Sequence, residues 1–247
     1  MKKIVFSFDD GLLDFYENTF PILKKYNIKA TFNIATGFVD KTYNDGFKYC
    51  TVEQLKELSD YGIELAIHPD AHALNTSVED LSISLKKLSS WIGKEKIHGI
   101  VIPYNVHPTE EIMIWGKQQD LSYLRTEDIY NPNKFTEMLV KLHIIKYGRA
   151  YIEHNQKIFR NKTKVALLSS FSIFRNKTVE DYIKLVSKMR NGTSLTLMFH
   201  SLFNSDSECD NCPYPNGAWT TDKFEELIKW LIDHKYKIVT QYEAVEK

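Results

Sequence analysis

Short apolar runs that end on polar residues recur along this chain, and stretches of helical spacing lie between them. The first run, Ile4 to Phe8, reads as a buried strand and stops at Asp9-Asp10-Gly11. Further strands are expected at Ala30–Ile34, Ile63–Ile67 (ending at His68), Gly99–Ile102 (stopped by Pro103), Leu121–Leu124, Ser194–Phe199 (ending at His200) and Lys237–Thr240. Leu142–Tyr147 and Val165–Phe174 are two more candidates. Helices are expected between them at Pro21–Tyr26, Val52–Tyr61 with Gly62 as its C-terminal cap, Pro108–Gln118, Val179–Met189 and Asp222–Lys235. Another, running to Trp91, is opened by a capping box of Thr76 and Glu79.

Strands that alternate with helices imply an α/β fold with a parallel sheet, and about seven or eight such units favour a closed (β/α) barrel over an open sheet. No linker, repeat or low-complexity segment divides the chain, so residues 1–247 are expected to form one catalytic domain. In such a barrel the active site is built at the C-terminal ends of the strands. Asp9, His68, Pro103 and His200 all fall there.

The charge balance excludes several functions. Lys plus Arg and Asp plus Glu are 32 each, so no basic excess points to nucleic acid. No run reaches the roughly 18 apolar residues of a membrane helix. The first apolar run is broken by Asp9 and Asp10 too soon for a secretory leader, and a cytoplasmic location is expected. Three cysteines make no disulfide framework, and Cys209-x-x-Cys212 reads as a loop with two thiols.

Two adjacent carboxylates at the mouth of a buried strand repel each other and resist desolvation, and a cation removes both objections. His68-x-x-x-His72 follows the third strand, and a helical turn started by Pro69 would put both imidazoles on one face. Two imidazoles and one carboxylate suit one divalent ion, zinc first, with cobalt, nickel or manganese as alternatives. Such a triad leaves positions open for water and substrate, so it is a catalytic arrangement.

The order Ser7-Phe8-Asp9-Asp10-Gly11, His68-x-x-x-His72, Pro103-Tyr104 and Leu197-x-x-His200 resembles the polysaccharide deacetylase family, also called the NodB-homology family or carbohydrate esterase family 4. The linking segments Lys29-Ala30-Thr31-Phe32 and Gly62-Ile63-Glu64 are similar to the family's as well. The resemblance implies a distorted (β/α)7-type barrel and removal of an N-acetyl group from an amino sugar. It implies Asp9 as catalytic base, Asp10, His68 and His72 as metal ligands, the Tyr104 backbone N–H as an oxyanion donor and His200 as general acid. An arginine that would orient the base is missing two residues before Pro103, where Val101 stands, and Asn105 replaces the usual glycine. Arg125, at the end of the fifth strand, is the candidate to reach Asp9 instead. Tyr104 and Trp219 are candidate substrate contacts, Trp219 with Tyr214 as an aromatic platform at the site mouth.

The expected substrate is a small or carrier-linked N-acetyl sugar, a glycan precursor, with the stretch Thr126–Asn176 covering one side of the cleft. A hydrolase of another C–N bond (formamide or cyclic amide) is the enzyme alternative. A non-catalytic carbohydrate-binding relic is the alternative of another class.

Overall fold

The computed structural model describes residues 1–41, 46–104, 106, 108–126 and 165–246, and the backbone of 159–160. The expected strand Leu142–Tyr147, the loop residues Asn44 and Asp45, and Asn105 lie outside the described residues.

At the centre is β1 (Lys3–Phe8). It pairs in parallel along its whole length with β9 (Ser194–Phe199). On its other side it meets β12 (Lys237–Val239) at residues 3–5 and β2 (Thr31–Ala35) at residues 7–8. From β2 the parallel order runs through β3 (Glu64–His68), β4 (Gly99–Val101), β5 (Tyr123–Arg125) and β7 (Ala166–Leu168). β6 (Phe159–Arg160) adds an antiparallel edge to β7. The stretch expected as one strand over Val165–Phe174 bends at Ser169-Ser170. Its first part, β7, pairs with β5, and its second, β8 (Phe171–Ser172), pairs with β9. That bent stretch bridges the two ends of the sheet, so the fold is a distorted (β/α)7-type barrel, wedged open at its lower end by β12.

Side chains alternate across each strand, and here the two faces differ in chemistry. Ile4, Phe6 and Phe8 of β1 face the helices, where Phe6 and Phe8 pack against Phe15, Phe199 and Phe224. Ser7 faces the barrel interior and accepts from Asn33 of β2 at 2.8 Å and Gln241 at 3.1 Å. The outer layer comprises α1 (Phe20–Tyr26), α2 (Val52–Tyr61), α3 (Val78–Ile92), α4 (Glu110–Gln118), α5 (Val179–Ser187) and α7 (Thr221–Asp233). Fully burying one of their leucines or phenylalanines is worth about 1.5–3 kcal/mol. Among the described residues no helix is long and apolar enough to cross a membrane.

Several expected boundaries move by a residue or two. The cap of α3 is Ser77, whose side chain accepts from Asp80 N–H, rather than Thr76. α4 is capped by Thr109. Four elements that follow His200 were not expected. A short helix, α6 (Asp206–Asn211), and a two-stranded parallel sheet of β10 (Ser201–Phe203) and β11 (Ala218–Thr220) follow His200. A last helix, α8 (Gln241–Val245), closes the lower end of the barrel, where Gln241 N–H donates to Thr31 and Tyr242 N–H to Glu64.

Candidate active site

β1 brings two neighbouring carboxylates to the mouth. Asp9 extends the β1–β9 ladder by one bond, to the Phe199 carbonyl at 3.0 Å, and is 6% exposed. Its Oδ1 accepts from Asn33 Nδ2 at 2.7 Å and from Arg125 Nη2 at 2.8 Å, and its Oδ2 accepts from the same Nη2 at 2.6 Å. Arg125 is 1% exposed, and its Nη1 donates to Ser170 Oγ at 2.9 Å. The guanidinium therefore reaches Asp9 from β5, and its neighbour in register on β4 is Val101. A buried ion pair with further hydrogen bonds on each side is held in one geometry.

Asp10 turns away from Asp9 because its backbone is left-handed, with φ of 77°, followed by Gly11 at 84°. His72 (49°) and Tyr104 (56°) share this uncommon conformation, so three non-glycine residues of the mouth carry local strain. The expected helical turn after Pro69 is instead a tight turn closed by His72 N–H to the Pro69 carbonyl at 3.1 Å. Its left-handed last residue still brings the two imidazoles to 4.8 Å between ring centroids.

Asp10 Oδ1 lies 3.3 Å from His68 Nε2 and 3.1 Å from His72 Nε2. His68 Nδ1 is 2.8 Å from the Val101 carbonyl, which can only accept, so Nδ1 carries the proton and Nε2 presents a lone pair to Asp10. His72 Nδ1 meets the Tyr104 hydroxyl at 3.1 Å. Asp10 Oδ1 is buried and makes no hydrogen bond of ordinary geometry among the described residues; the His68 Nε2 lone pair and His72 Nε2 converge on it. Acceptors converge in this way where a cation belongs, and the three ligand atoms lie within 4.8 Å of one another. The residues fit a divalent ion. Burial would raise the Asp10 carboxyl, but hydrogen bonds from His68 and His72 hold it well below 3.8. Burial would lower His72, but Asp10 raises it above 6.5.

These groups line one cavity of about 700 Å³ with Arg125, His200, Tyr104 and Tyr214. His200 stands across the mouth, its ring edge-on to Tyr214 at 5.1 Å. Tyr104 is 57% exposed at the rim.

Trp219 is not at the mouth. It is fully buried, donates from Nε1 to the Lys177 carbonyl at 3.2 Å and packs on Tyr182 and Phe199. Strand β11 turns its ring into the core, and the aromatic at the mouth is Tyr214. Cys209 sits in α6 with Sγ toward the Trp219 carbonyl, and Cys212 follows that helix; both are free thiols. Sequence reasoning missed Asn33 and Ser170, which hold Asp9 and Arg125. A lone carboxamide inside the apolar run Ala30–Ile34 was the available signal for Asn33.

The barrel carries its carboxylates and imidazoles at the C-terminal ends of its strands, where (β/α) barrels build their sites. Residues 1–110 match the polysaccharide deacetylase family. A poly-β-1,6-N-acetyl-D-glucosamine N-deacetylase of Staphylococcus aureus is 30% identical over 131 residues, 47% of this chain and 45% of that protein. The fold matches a family 4 acetyl xylan esterase from Clostridium thermocellum in complex with a cobalt ion, at TM-score 0.55 and 15% identity over 98% of this chain and 89% of that one. It also matches a carbohydrate esterase family 4 pseudoenzyme from Bacillus anthracis, at TM-score 0.56 and 12% identity over 99% of this chain and 65% of that one. The first 110 residues are thus similar to the polysaccharide deacetylase family, and over nearly its whole length the chain has the fold of carbohydrate esterase family 4 structures. It spans only 24% and 45% of the lengths of two curated relatives it matches.

Proposed function

We propose that this chain is a divalent-metal-dependent N-deacetylase, which hydrolyses the acetamide of an amino-sugar unit. The observation that carries the reading is the convergence of Asp10 Oδ1 with Nε2 of His68 and His72, with a second carboxylate, Asp9, held rigidly beside it. A divalent cation held by Asp10, His68 and His72 would supply Lewis acidity, polarising the amide carbonyl and letting a water ionise near neutral pH. Zinc is the first choice for two imidazoles and a carboxylate, with cobalt, nickel and manganese next.

The other roles belong to the chain's own residues. Asp9 takes the proton of the attacking water, and Arg125 and Asn33 fix the direction from which it does so. The Tyr104 backbone N–H, turned by its left-handed conformation at the rim, donates to the developing oxyanion. His200, across the cavity, gives a proton to the amine nitrogen as the C–N bond breaks, since an amide anion is a poor leaving group.

The test is acetate release from N-acetyl sugars, free, nucleotide-linked, lipid-linked and oligomeric, with each metal added to chelator-treated protein. Acetate released only with a divalent ion is the expected result. Release of formate, or ring opening of a cyclic amide, would move the reading to the other C–N hydrolases. Ion binding with no turnover on any substrate would leave a sugar-binding relic, as the Bacillus anthracis fold relative is a pseudoenzyme.

A further inference from the structure

His68 and His72 are held by different means. His68 closes β3, and its ring is fixed by the Val101 carbonyl. His72 ends the turn that starts at Pro69, with exposed neighbours at Ala71 and Ala73. Its left-handed backbone is a conformation that persists only where the surroundings impose it. The spacing of the two imidazoles therefore depends on what fixes this turn.

Two elements reach it. From the end of β2, Gly37 N–H donates to the Asp70 carbonyl at 3.1 Å. A Cβ at Gly37 would collide with that carbonyl oxygen, so only glycine lets the two backbones come this close. Thr36, 3% exposed, donates from Oγ1 to Asp70 Oδ1. From α3, Asp80, Ser84 and Lys87 recur at helical spacing, beside the core stripe of Leu81, Leu85 and Leu88. Asp80 Oδ1 accepts from Ala71 N–H at 3.0 Å, and Ser84 Oγ donates to the His68 carbonyl at 2.8 Å. Lys87 Nζ donates to Asp70 Oδ1 at 2.7 Å. Asp70 thus takes donors from both sides, through its carbonyl and one carboxylate oxygen. None of these side chains lines the catalytic cavity, so whatever they do there they do through the imidazoles.

We infer that Asp70 is a positioning residue for the metal site, clamping the His72 turn between the end of β2 and α3 so that both imidazoles keep the separation one ion requires. The ion itself rests on the deacetylase reading above. Truncating Asp70 leaves all three ligands and the Asp9–Arg125 pair in place, but frees the turn to relax from its left-handed end. Ion binding must then order the turn as well, and affinity falls.

The experiment measures zinc affinity by calorimetry on chelator-treated protein, and the visible spectrum of the cobalt-loaded protein, which reports ligand geometry. Asp70→Ala should bind zinc about 10- to 100-fold more weakly and shift the cobalt bands. Asp70→Asn keeps a carbonyl acceptor for Thr36 and Lys87, and should recover most of the affinity and the native spectrum. Lys87→Met removes one donor at a half-exposed position without touching the core. It should give the same change to a smaller extent, and it decides the case if Asp70→Ala does not fold. Glu64→Ala, at the far end of the barrel, lowers stability without reaching the turn and should leave both readouts native. Native affinity and spectrum in folded Asp70→Ala, or in Lys87→Met where that variant decides, overturn the clamp and leave the metal reading standing. An equal loss in Glu64→Ala also overturns it, since the effect would then be general loosening. A native protein that binds no divalent ion overturns the metal reading and the clamp together.

Discussion

At the lower end of the barrel Glu64 is 8% exposed, and its oxygens accept from Thr31 Oγ1 and Tyr123 OH at 2.8 Å and from Tyr242 N–H at 3.0 Å. At the upper end Asp10 Oδ1 is also buried, yet it faces only two imidazole nitrogens and makes no hydrogen bond of ordinary geometry among the described residues. Both carboxylates follow from the same barrel, but one is saturated by its own chain and the other is left for something else. A buried acceptor that is satisfied locks the fold, whereas one that converges with other acceptors marks a cation site.

The difference can be broken at either end. The largest effect is expected from changing His68 and His72 together to Ala: equilibrium dialysis with zinc should find no bound ion, while the apo protein stays folded. Full occupancy in that variant would remove the metal assignment. Occupancy in the native protein should also fall with falling pH through the raised His72 value, above 6.5, because the proton and the ion compete for the same nitrogen.

Next come Asp9 and its holder. Asp9→Asn should keep the ion and lose about 10²- to 10⁴-fold in turnover, the contribution of a positioned base. Loss of the ion instead would mean that the two carboxylates are assigned the wrong way round. Arg125→Ala leaves a buried carboxylate without its charge partner, so it should cost about 3–5 kcal/mol of stability by urea unfolding as well as turnover. An unchanged rate and pH profile would show that Arg125 does not serve Asp9.

The lower end should respond in stability alone. Glu64→Ala strands three donors and should cost roughly 2–4 kcal/mol, with metal content unchanged. Burial raises Glu64 above 4.5, and the donors Tyr242, Tyr123 and Thr31 only partly oppose that rise. A raised carboxyl contributes stability that is complete below its unfolded value and is lost as pH climbs through its folded one. Glu64→Gln should therefore flatten the fall in stability above about pH 4.5, read by thermal melts across pH. The smallest effect is expected at Tyr104→Phe, which removes the hydroxyl on His72 Nδ1 and should loosen ion binding by about tenfold. Unchanged affinity would mark that contact as incidental.

Which residues gather at the mouth was legible because strand ends are local features. An apolar run that stops at Asp9, His68 or His200 announces its own C-terminus, and strand–helix alternation announces a parallel barrel. What the sequence did not reveal depends on register and side-chain direction between segments far apart. Arg125 meets Asp9 because β5 and the bent stretch through Ser170 present that guanidinium to the interior. Trp219 and Tyr214 are close in the chain, yet one is fully buried and the other stands at the junction of two cavities. Whether β11 turns its ring inward is decided by the partner strand β10 and the helices it packs on, not by any local pattern. Side chains alternate along a strand, so a one-residue change of register exchanges the core and solvent faces, and only the assembled sheet sets that register.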